Sequence, residues 1–325
     1  MPTVASPSPP RPWPKHFKDR LSHPLPSRRA IWRILREGGF QNKEARKVAH
    51  LVPRAADNAL PALKPGQLSV AWVGHATNVV RLGGRTILTD PVWSPGLPGR
   101  SRRMTEPGLP LDAVGKVDAV VISHDHYDHL DAPTVRRLPR ATPIFCGANT
   151  ARWFRKRGFT DVTELDWWES ATRDGVTYTF VPAHHWCRRG LRDVCRRLWG
   201  SWVMSAPGPG GKGRRSVYFS GDTGYGTNFK EIGRRFPGLD VAILPIGAYD
   251  PRWFMTPVHT NPEEAVQAFK DLGAKRMSTI HWGTFVLTKE PFLEPPQRTR
   301  EAWAKAGLPE KDLWLLALGE SKVFG

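Results

Sequence analysis

Four candidate metal ligands follow one short apolar segment of the chain. The run Asp118–Ile122 is apolar and β-branched after its first residue, which is typical of a buried strand. His124 and His126 follow it at alternate positions, so on an extended backbone their imidazoles point the same way. Asp128 and His129 come next, where a turn can bring them to a second nearby point. The chain must therefore fold so that a buried strand ends at a cluster of polar groups.

Imidazole and carboxylate groups in this arrangement indicate Zn²⁺ or a similar divalent metal. Together with the further candidates at other strand ends, these four are more ligands than one tetrahedral ion uses, so we expect two ions. Two close ions would hold a bridging hydroxide at neutral pH, because coordination lowers the pKa of bound water from about 15.7 towards about 7. Asp128 could also orient that hydroxide. The pattern favours a hydrolase.

Further polar residues stand at the ends of other predicted strands. They are Asp90 after Thr86–Thr89, His184 and His185 after Thr177–Val181, Asp222 after Ser216–Ser220, and His281 after Arg276–Ile280. A lone histidine at a strand end is more often structural than a ligand. Here, however, such residues stand at the ends of several strands, in a chain that already has a cluster of metal-type ligands. Because loops at strand ends collect functional groups, we expect these residues to meet at a single shared site.

Strands and helices alternate along most of the chain. The remaining predicted strands are Ser69–Val73, Asn78–Leu82, Ala119–Ser123, Thr142–Phe145, Ser201–Met204 and Val241–Ile246. The predicted helices are Ala132–Leu138, Ala148–Arg157, Thr227–Arg235 and Pro262–Leu272. Asn261 is suited to cap the last helix and Gly273 to end it. Many strands with interspersed helices predict a layered α/β protein.

Composition restricts the partners and the compartment. A formal net charge of +18 on 325 residues favours an anionic lipid, a phosphorylated substrate or nucleic acid, with simple solubility as the alternative. Three cysteines, Cys146, Cys187 and Cys195, do not suggest a disulfide framework, because their number is odd. Without a hydrophobic leader segment, they predict a cytoplasmic, reducing environment. No apolar stretch reaches the roughly 18 to 20 residues of a membrane span, so any membrane association would be peripheral.

The first 66 residues have a composition of their own. They carry thirteen Lys/Arg against four Asp/Glu, and their first 26 residues contain eight prolines. Such a segment predicts an extended arm that is partly disordered unless docked. We therefore divide the chain into a basic arm over residues 1–66 and a catalytic domain over residues 67–325.

The arm also contains one predicted helix. Ser27 could cap a helix over Arg28–Glu37, which Gly38 and Gly39 would end. A basic amphipathic helix that carries Trp32 could lie on a membrane surface. The alternative, which we favour, is a helix packed on its own domain with a solvated outer face.

The order of these motifs resembles the metallo-β-lactamase superfamily: His-x-His-x-Asp-His, then His, then Gly-Asp-Thr, then His, with Asp90 at the aspartate of the first motif. A closer resemblance, from about residue 67 to the C-terminus, is to the N-acyl-phosphatidylethanolamine-hydrolysing phospholipase D family and its bacterial relatives. The segments that carry it are Ala71–Thr77, Leu88–Pro91, Val121–Asp131, Glu164–Glu169, His185–Arg189, Leu198–Trp202, Gly221–Tyr225, Leu244–Tyr249, Pro251–Met255, Pro262–Ala265, Ile280–Phe285 and Leu293–Pro296.

The resemblance implies a fold and a ligand set. The fold would be an αββα sandwich, with two mainly antiparallel or mixed sheets inside and helices outside. One zinc would be bound by His124, His126 and His185, the other by Asp128, His129 and His281, and Asp222 would bridge them. His185 is assigned rather than His184 because the histidine of the family stands directly before a tryptophan. His184 would then have no metal role.

Other residues are assigned to the surroundings of the metals. Asp90 and Asp131 are candidates for fixing imidazole tautomers, with a helix cap or turn as the alternative role. His75 lies in a motif of the family and is expected near the site. The candidate substrate contacts are Tyr127, Trp186, Arg188, Arg189 and His259. The two arginines could receive a phosphate group, or they could form a solvated face.

The resemblance also implies a reaction. A dinuclear zinc phosphodiesterase of phospholipase D type would hydrolyse N-acyl-phosphatidylethanolamine-like lipids to N-acylethanolamine and phosphatidic acid, with Asp128 and Asp222 as catalytic residues. It would work at an anionic phospholipid or membrane surface, as a homodimer.

The sequence is also compatible with two alternative functions. The same centre could act on another phosphodiester, including nucleic acid, or on a lactone or ester, because the fold hosts many hydrolases. Nucleic acid is less favoured, because the chain has no added domain of the kind that nuclease members carry. The second alternative is a non-enzymatic, basic membrane or nucleic-acid binding protein with a relic metal site. All seven ligand positions are filled, which argues against it.

Overall fold

Two seven-stranded sheets face each other, with helices on their outer faces. The computed structural model describes residues 12–40, 42–99 and 101–325. The first eleven residues of the predicted arm therefore lie outside the described residues. The predicted α/β sandwich with mixed sheets is confirmed.

The first sheet combines antiparallel and parallel pairing. Its strands are β1 Leu68–Gly74, β2 Thr77–Leu82, β3 Arg85–Thr89, β4 Ala119–Ile122, β5 Ile144–Gly147, β6 Val162–Leu165 and β14 Ser321–Phe324. They lie in the order β14-β1-β2-β3-β4-β5-β6. Pairing is antiparallel from β14 to β3 and parallel from β3 to β6. The run that precedes the four-ligand segment is thus β4, in the parallel half of this sheet.

The second sheet has the same mixture. Its strands are β7 Ser170–Arg173, β8 Val176–Val181, β9 Ser201–Pro207, β10 Arg214–Phe219, β11 Val241–Pro245, β12 Arg276–Ile280 and β13 Leu313–Trp314. The order is β13-β12-β11-β10-β9-β8-β7, with antiparallel pairing from β7 to β10 and parallel pairing from β10 to β13.

Eight α-helices are present in the described part of the chain. They are α1 Arg28–Arg36, α2 Ala45–Val48, α3 Ala132–Arg137, α4 Ala151–Arg155, α5 Asn228–Arg235, α6 Arg252–Met255, α7 Pro262–Leu272 and α8 Glu294–Lys305. Apolar side chains of α3 and α4 pack against the outside of the first sheet, and apolar side chains of α5, α7 and α8 pack against the outside of the second. As predicted, Asn261 caps α7 in a capping box and Gly273 ends it in the left-handed conformation. Of the helices described, none is long and apolar enough to cross a bilayer.

Several elements were not predicted from the sequence. Strands β6, β7, β13 and β14 are short, and all four lie at sheet edges, where the strand has a neighbour on one side only and the apolar pattern is weak. Helix α8 begins with Glu294-Pro295-Pro296, and proline is tolerated in a first turn although it usually argues against a helix. Helix α4 is also shorter than the predicted Ala148–Arg157.

Aromatic rings join the two sheets. Phe145 of β5 stacks on Tyr178 of β8 with 3.9 Å between ring centroids, and it also stands edge-on to Trp202 of β9 at 6.4 Å. The Trp202 indole N–H donates to the carbonyl oxygen of Ile122, at the end of β4. Burial of each ring contributes about 1.5 to 3 kcal/mol. This core fixes the end of β4 relative to the second sheet.

The described part of the arm is docked on the sandwich. Phe17 is buried, and its backbone N–H donates to the carbonyl oxygen of Cys195. The Trp13 indole donates to Glu164, and Arg20 forms a salt bridge with Asp166 at 3.2 Å.

Candidate metal centre

Six strands of the two sheets end at one common edge of the sandwich. The polar residues that follow these strand ends are His75 after β1, Asp90 after β3, His124 after β4, His185 after β8, Asp222 after β10 and His281 after β12. The fold thus brings together all seven residues assigned as metal ligands from the sequence.

One group of ligand atoms comes from His124, His126, His185 and Asp222, whose candidate atoms all lie within 4.8 Å of one another. Nδ1 of His126 is 2.9 Å from Nε2 of His124 and 3.3 Å from Nε2 of His185. Three imidazole nitrogens that converge in this way cannot all be satisfied by one another's protons. A cation between them would satisfy all three.

A second group comes from His75, Asp128, His129 and His281, again within 4.8 Å of one another. Oδ2 of Asp128 is 3.5 Å from Nε2 of both His129 and His281. The three residues assigned to the second metal therefore meet, and His75 joins them through a 2.9 Å contact from its Nε2 to Oδ2 of Asp128.

Asp222 lies between the two groups. Its Oδ2 is 3.1 Å from Nε2 of His129, and its Oδ1 is 3.1 Å from Nε2 of His281. The same Oδ2 is 3.8 Å from Nε2 of both His124 and His185. The carboxylate thus faces both groups, which is the position that the family resemblance implies for a bridging ligand.

A glycine makes this position of Asp222 attainable. Gly221 has a φ of +58°, and a Cβ atom added there would lie 2.4 Å from Cβ of Ser123. Only a residue without a side chain lets the turn after β10 pass so close to the end of β4.

A hydrogen-bonded chain orients two of the imidazoles. Oδ2 of Asp90 is 2.7 Å from Nδ1 of His129, and it also accepts from Oγ of Ser123. Ser123 Oγ in turn lies 2.9 Å from Nδ1 of His124. Protons on both Nδ1 atoms leave the Nε2 atoms of His124 and His129 free to bind metal. The predicted role of Asp90 thus has a geometric basis.

Two partners of the imidazoles were not identified from the sequence. Ser123 directly precedes the first histidine, and that adjacency could have indicated its role. The carbonyl oxygen of Val258 accepts from Nδ1 of His185 at 3.0 Å, which again directs Nε2 of His185 into the cluster. A backbone carbonyl contributed from a distant turn leaves no signal in the sequence.

The two groups differ in electrostatics. Burial lowers the pKa of His126 to about 3 and that of His185 to about 4, so both imidazoles are neutral. Burial acts in the same direction on His281, but the carboxylates of Asp222 and Asp128 outweigh it and raise its pKa to about 9. In the first group, His126 and His185 therefore offer neutral lone pairs to a cation. In the second group, the carboxylates favour positive charge at His281.

The residues present fit divalent metal ions. Nε2 of His129, Nε2 of His281 and Oδ1 of Asp222 are buried, and in the described part of the chain they have no hydrogen-bond partner of acceptable geometry. Unpaired buried polar atoms are costly, and metal coordination is one way to satisfy them. Imidazole nitrogens with carboxylate oxygens are ligands that Zn²⁺ accepts, and Fe and Mn ions accept them too.

Two neighbouring residues lie outside the ligand groups. Asp131 caps α3, where its Oδ2 accepts from Oγ of Ser94 and from the backbone N–H of Thr134. This is the capping alternative, and it corrects the assignment of Asp131 to an imidazole partner. The ring of His184 lies beside His23, with 6.3 Å between ring centroids, and not in either ligand group.

Two of the candidate substrate contacts lie against the cluster. The ring of His259 is 5.2 Å from that of His185 and 5.3 Å from that of His281, centroid to centroid, and its Nδ1 is buried without a partner. The ring of Trp186 stands edge-on to His126 at 5.1 Å. Both are placed to contact a molecule bound at the metals.

The other candidates differ from one another. The Arg189 guanidinium lies 4.2 Å above the ring of Tyr127 and donates to the carbonyl oxygen of Asp125, while the Tyr127 hydroxyl donates to the carbonyl oxygen of Arg189. These contacts brace the segment between the metal ligands. The exposed Arg188 donates from Nε to the carbonyl oxygen of Gly190. Of the two arginines, Arg188 is therefore the freer to meet an anion.

Several known proteins are similar to this chain. The family described as Beta-lactamase superfamily domain matches residues 85–282. N-acyl-phosphatidylethanolamine-hydrolyzing phospholipase D 1 of Caenorhabditis elegans is 39% identical over 272 residues, which cover 78% of this chain and 75% of the relative. The mitochondrial N-acyl-phosphatidylethanolamine-hydrolyzing phospholipase D of Saccharomyces cerevisiae is 33% identical over 264 residues, or 78% of this chain and 55% of that protein.

A solved structure agrees on the fold. Igni18, a metallo hydrolase from Ignicoccus hospitalis, superposes with a TM-score of 0.60 over 80% of this chain and 99% of its own, at 22% sequence identity. The chain therefore belongs to the metallo-β-lactamase superfamily, as a metal-dependent hydrolase homologous to the N-acyl-phosphatidylethanolamine-hydrolysing phospholipases D.

Proposed function

We propose that the protein is a dinuclear zinc phosphodiesterase that hydrolyses N-acyl-phosphatidylethanolamine-like phospholipids. Water adds to phosphorus, the bond from phosphorus to the ethanolamine oxygen breaks, and N-acylethanolamine and phosphatidic acid are released. The observation that carries the proposal is the 39% identity to the Caenorhabditis elegans enzyme over 78% of this chain.

The two ligand groups would each hold one ion. His124, His126 and His185 would bind the first, Asp128, His129 and His281 the second, and Asp222 both. When bound, the ions would lower the pKa of a coordinated water towards about 7 and offset the charge that builds on the phosphoryl oxygens. Zinc is proposed because its usual ligands match this set.

The two carboxylates have different access to a substrate. The side chain of Asp222 is 3% exposed and that of Asp128 is 13% exposed, so Asp128 is the carboxylate that a substrate can reach. Despite burial, the neighbouring His129, His281 and His75 hold the pKa of Asp128 well below its usual range. Asp128 is thus ionised at neutral pH, and we assign it to accept a hydrogen bond from the attacking water.

His259 is the side chain best placed to meet the phosphoryl group. Burial holds its pKa well below the usual range, so the ring is neutral and carries one N–H donor. It lies beside His185, His281 and Asp222. We assign it to donate to a non-bridging oxygen of the substrate.

A direct assay tests the reaction. Purified protein, the same protein after chelation, and the chelated protein reloaded with zinc would be given N-acyl-phosphatidylethanolamine in mixed micelles and, separately, bis-nitrophenyl phosphate. Products would be identified by mass spectrometry and bound metal counted. Chelator-sensitive release of N-acylethanolamine that zinc restores is the expected result.

Matched variants tie that activity to the site. Asp222→Asn should lower it by about a hundredfold or more, because one carboxylate faces both ligand groups. Asp112→Asn removes a carboxylate that is 90% exposed and should leave activity unchanged. Turnover of bis-nitrophenyl phosphate alone would overturn the lipid substrate but keep a phosphodiesterase. Turnover of neither, with two metals bound, would overturn phosphodiester hydrolysis.

A further inference from the structure

Helix α1 exposes three large apolar side chains. Ile31, Trp32 and Leu35 are 47%, 64% and 66% exposed, whereas Ile34 is 3% exposed and faces the protein. Successive helical residues are about 100° apart, so the three exposed side chains form a stripe about 100° wide that excludes Ile34. The helix is thus attached through one side and leaves a continuous apolar stripe towards solvent. We call this the α1 stripe.

Arginines lie along one edge of the α1 stripe. Arg29 and Arg36 lie beside it on the helical wheel, and Arg28 lies at its N-terminal end. The guanidinium of Arg36 is 5.8 Å from the ring of Trp32. Within the ranges that the structure describes, neither Arg28 nor Arg29 has an ion-pair partner. An apolar stripe bordered by free arginines is typical of a helix that lies in a membrane interface.

Helix α1 is held to the rest of the protein by residues outside the α1 stripe. The guanidinium of Arg33 lies 4.0 Å above the ring of Trp253 in α6, and its Nε is 2.8 Å from Oε1 of Glu37. Nζ of Lys289 donates to the carbonyl oxygen of Glu37. These contacts fix α1 on α6 and on the loop before α8.

Helix α6 connects helix α1 to the metal centre. The turn after α6 carries Val258, whose carbonyl oxygen orients His185, and His259, whose ring packs against His185 and His281. Trp253 of α6 is itself 39% exposed beside α1. Helix α1 and the ligands therefore contact opposite ends of one short segment.

We propose that the α1 stripe and its arginines dock the protein on an anionic phospholipid surface. Insertion of the apolar side chains would remove them from water, while phosphate groups of anionic lipids would pair with the arginines. A second copy of the chain would place arginines against arginines. Nucleic acid would pair with the arginines but leave the apolar side chains in water. Charge and apolarity together therefore select the lipid surface. For a lipid-hydrolysing enzyme, and thus resting on the proposed function, docking here would deliver substrate near the metals.

Vesicle sedimentation tests this proposal. The full chain would be mixed with phosphatidylcholine vesicles that contain or lack phosphatidylglycerol. Binding to the anionic vesicles is expected, and Trp32→Ser/Leu35→Ser should weaken it about tenfold or more. Arg28→Gln/Arg29→Gln should also weaken it, and should reduce its sensitivity to salt.

The control variant is Val323→Thr. Val323 is 39% exposed on β14 and pairs with Ser69, near the start of β1, so it lies at the end of the sheet opposite the metals. Its vesicle binding should equal that of the unmodified protein. Circular dichroism melting of each variant would show that the fold is retained.

The proposal is overturned if the unmodified protein does not bind anionic vesicles, or if Trp32→Ser/Leu35→Ser binds them equally well. It is also overturned if that variant leaves vesicle binding intact but abolishes self-association in light scattering or binding to an oligonucleotide. Vesicle binding needs no catalysis, so a protein that binds vesicles but hydrolyses no lipid would overturn the proposed function alone. Turnover of bis-nitrophenyl phosphate, where present, should be the same in all these variants.

Discussion

Nε2 of His75 lies 2.9 Å from Oδ2 of Asp128, and the His75 side chain is 1% exposed. Burial lowers the pKa of His75 to about 3, so the imidazole is neutral. Because Asp128 is ionised and only accepts, the proton of His75 must lie on Nε2. The histidine therefore donates to the carboxylate and fixes its orientation, and Nδ1 of His75 is left without a partner.

This contact predicts a positioning role for His75. His75→Ala should lower kcat/KM about ten- to a hundredfold and weaken binding of the second metal, because Asp128 loses the donor that orients it. His75→Gln retains an N–H donor of similar reach and should recover part of both. Metal counting and steady-state kinetics on one preparation check this. Equal loss in the two variants would instead indicate that His75 acts only by filling space.

The adjacent histidines His184 and His185 provide a second prediction. His185→Ala should remove one metal and most activity, since its Nε2 is 3.3 Å from Nδ1 of His126. His184→Ala should keep both, within about twofold, because its ring lies outside the ligand groups. The number of metal ions bound per chain would be measured for both variants, and each variant serves as the control for the other. Loss of metal from His184→Ala would reverse the assignment.

The sequence predicts which side chains meet at this site because their positions depend on local pattern. His124 and His126 follow an unmistakable strand, and Asp222 and His281 each stand just past another. Buried strands of one sheet end at common edges, so strand ends identify groups that meet without any knowledge of their distances.

Contacts between distant segments could not be predicted in this way. The donor to Asp128 lies 53 positions away, at His75.

Two helix starts were also ambiguous in the sequence. Asp131 was a candidate imidazole partner, but a carboxylate just before a helix can equally well cap that helix, and only the direction of the side chain distinguishes the two roles. Helix α8 was missed because its two prolines stand in the first turn, the one place where a helix accepts them.

The close approach at Gly221 predicts a loss of stability. Gly221→Ala should destabilise the fold by about 2 to 4 kcal/mol, because the new Cβ would lie 2.4 Å from Cβ of Ser123 at a positive φ. Urea denaturation of the metal-free protein measures this. Gly238→Ala is the matched control: φ is +77° there and no atom lies within 4 Å, so only backbone strain of about 1 to 2 kcal/mol remains. Equal losses in both variants would rule out the steric explanation.

The buried imidazoles predict how the stability of the metal-free protein depends on pH. The folded-state pKa of His126 is about 3 and that of His185 about 4, against an ordinary value of 6.5. Between pH 6.5 and about 4 the unfolded chain binds protons at these residues and the folded chain does not. The free energy of unfolding should therefore fall as the pH falls, by up to about 1.4 kcal/mol per pH unit for each such imidazole.

At alkaline pH, His281 makes the free energy of unfolding change in the opposite direction. Its pKa is raised to about 9, so its stabilising contribution is complete below pH 6.5 and is lost as the pH rises through about 9. The chelated protein should thus be most stable near neutral pH. Urea titrations from pH 4.5 to 9.5 would measure both limbs, and His126→Gln should flatten the acid limb while leaving the alkaline limb unchanged. A free energy of unfolding that stays constant from pH 6.5 to 4.5 would contradict the burial of neutral imidazoles at this centre.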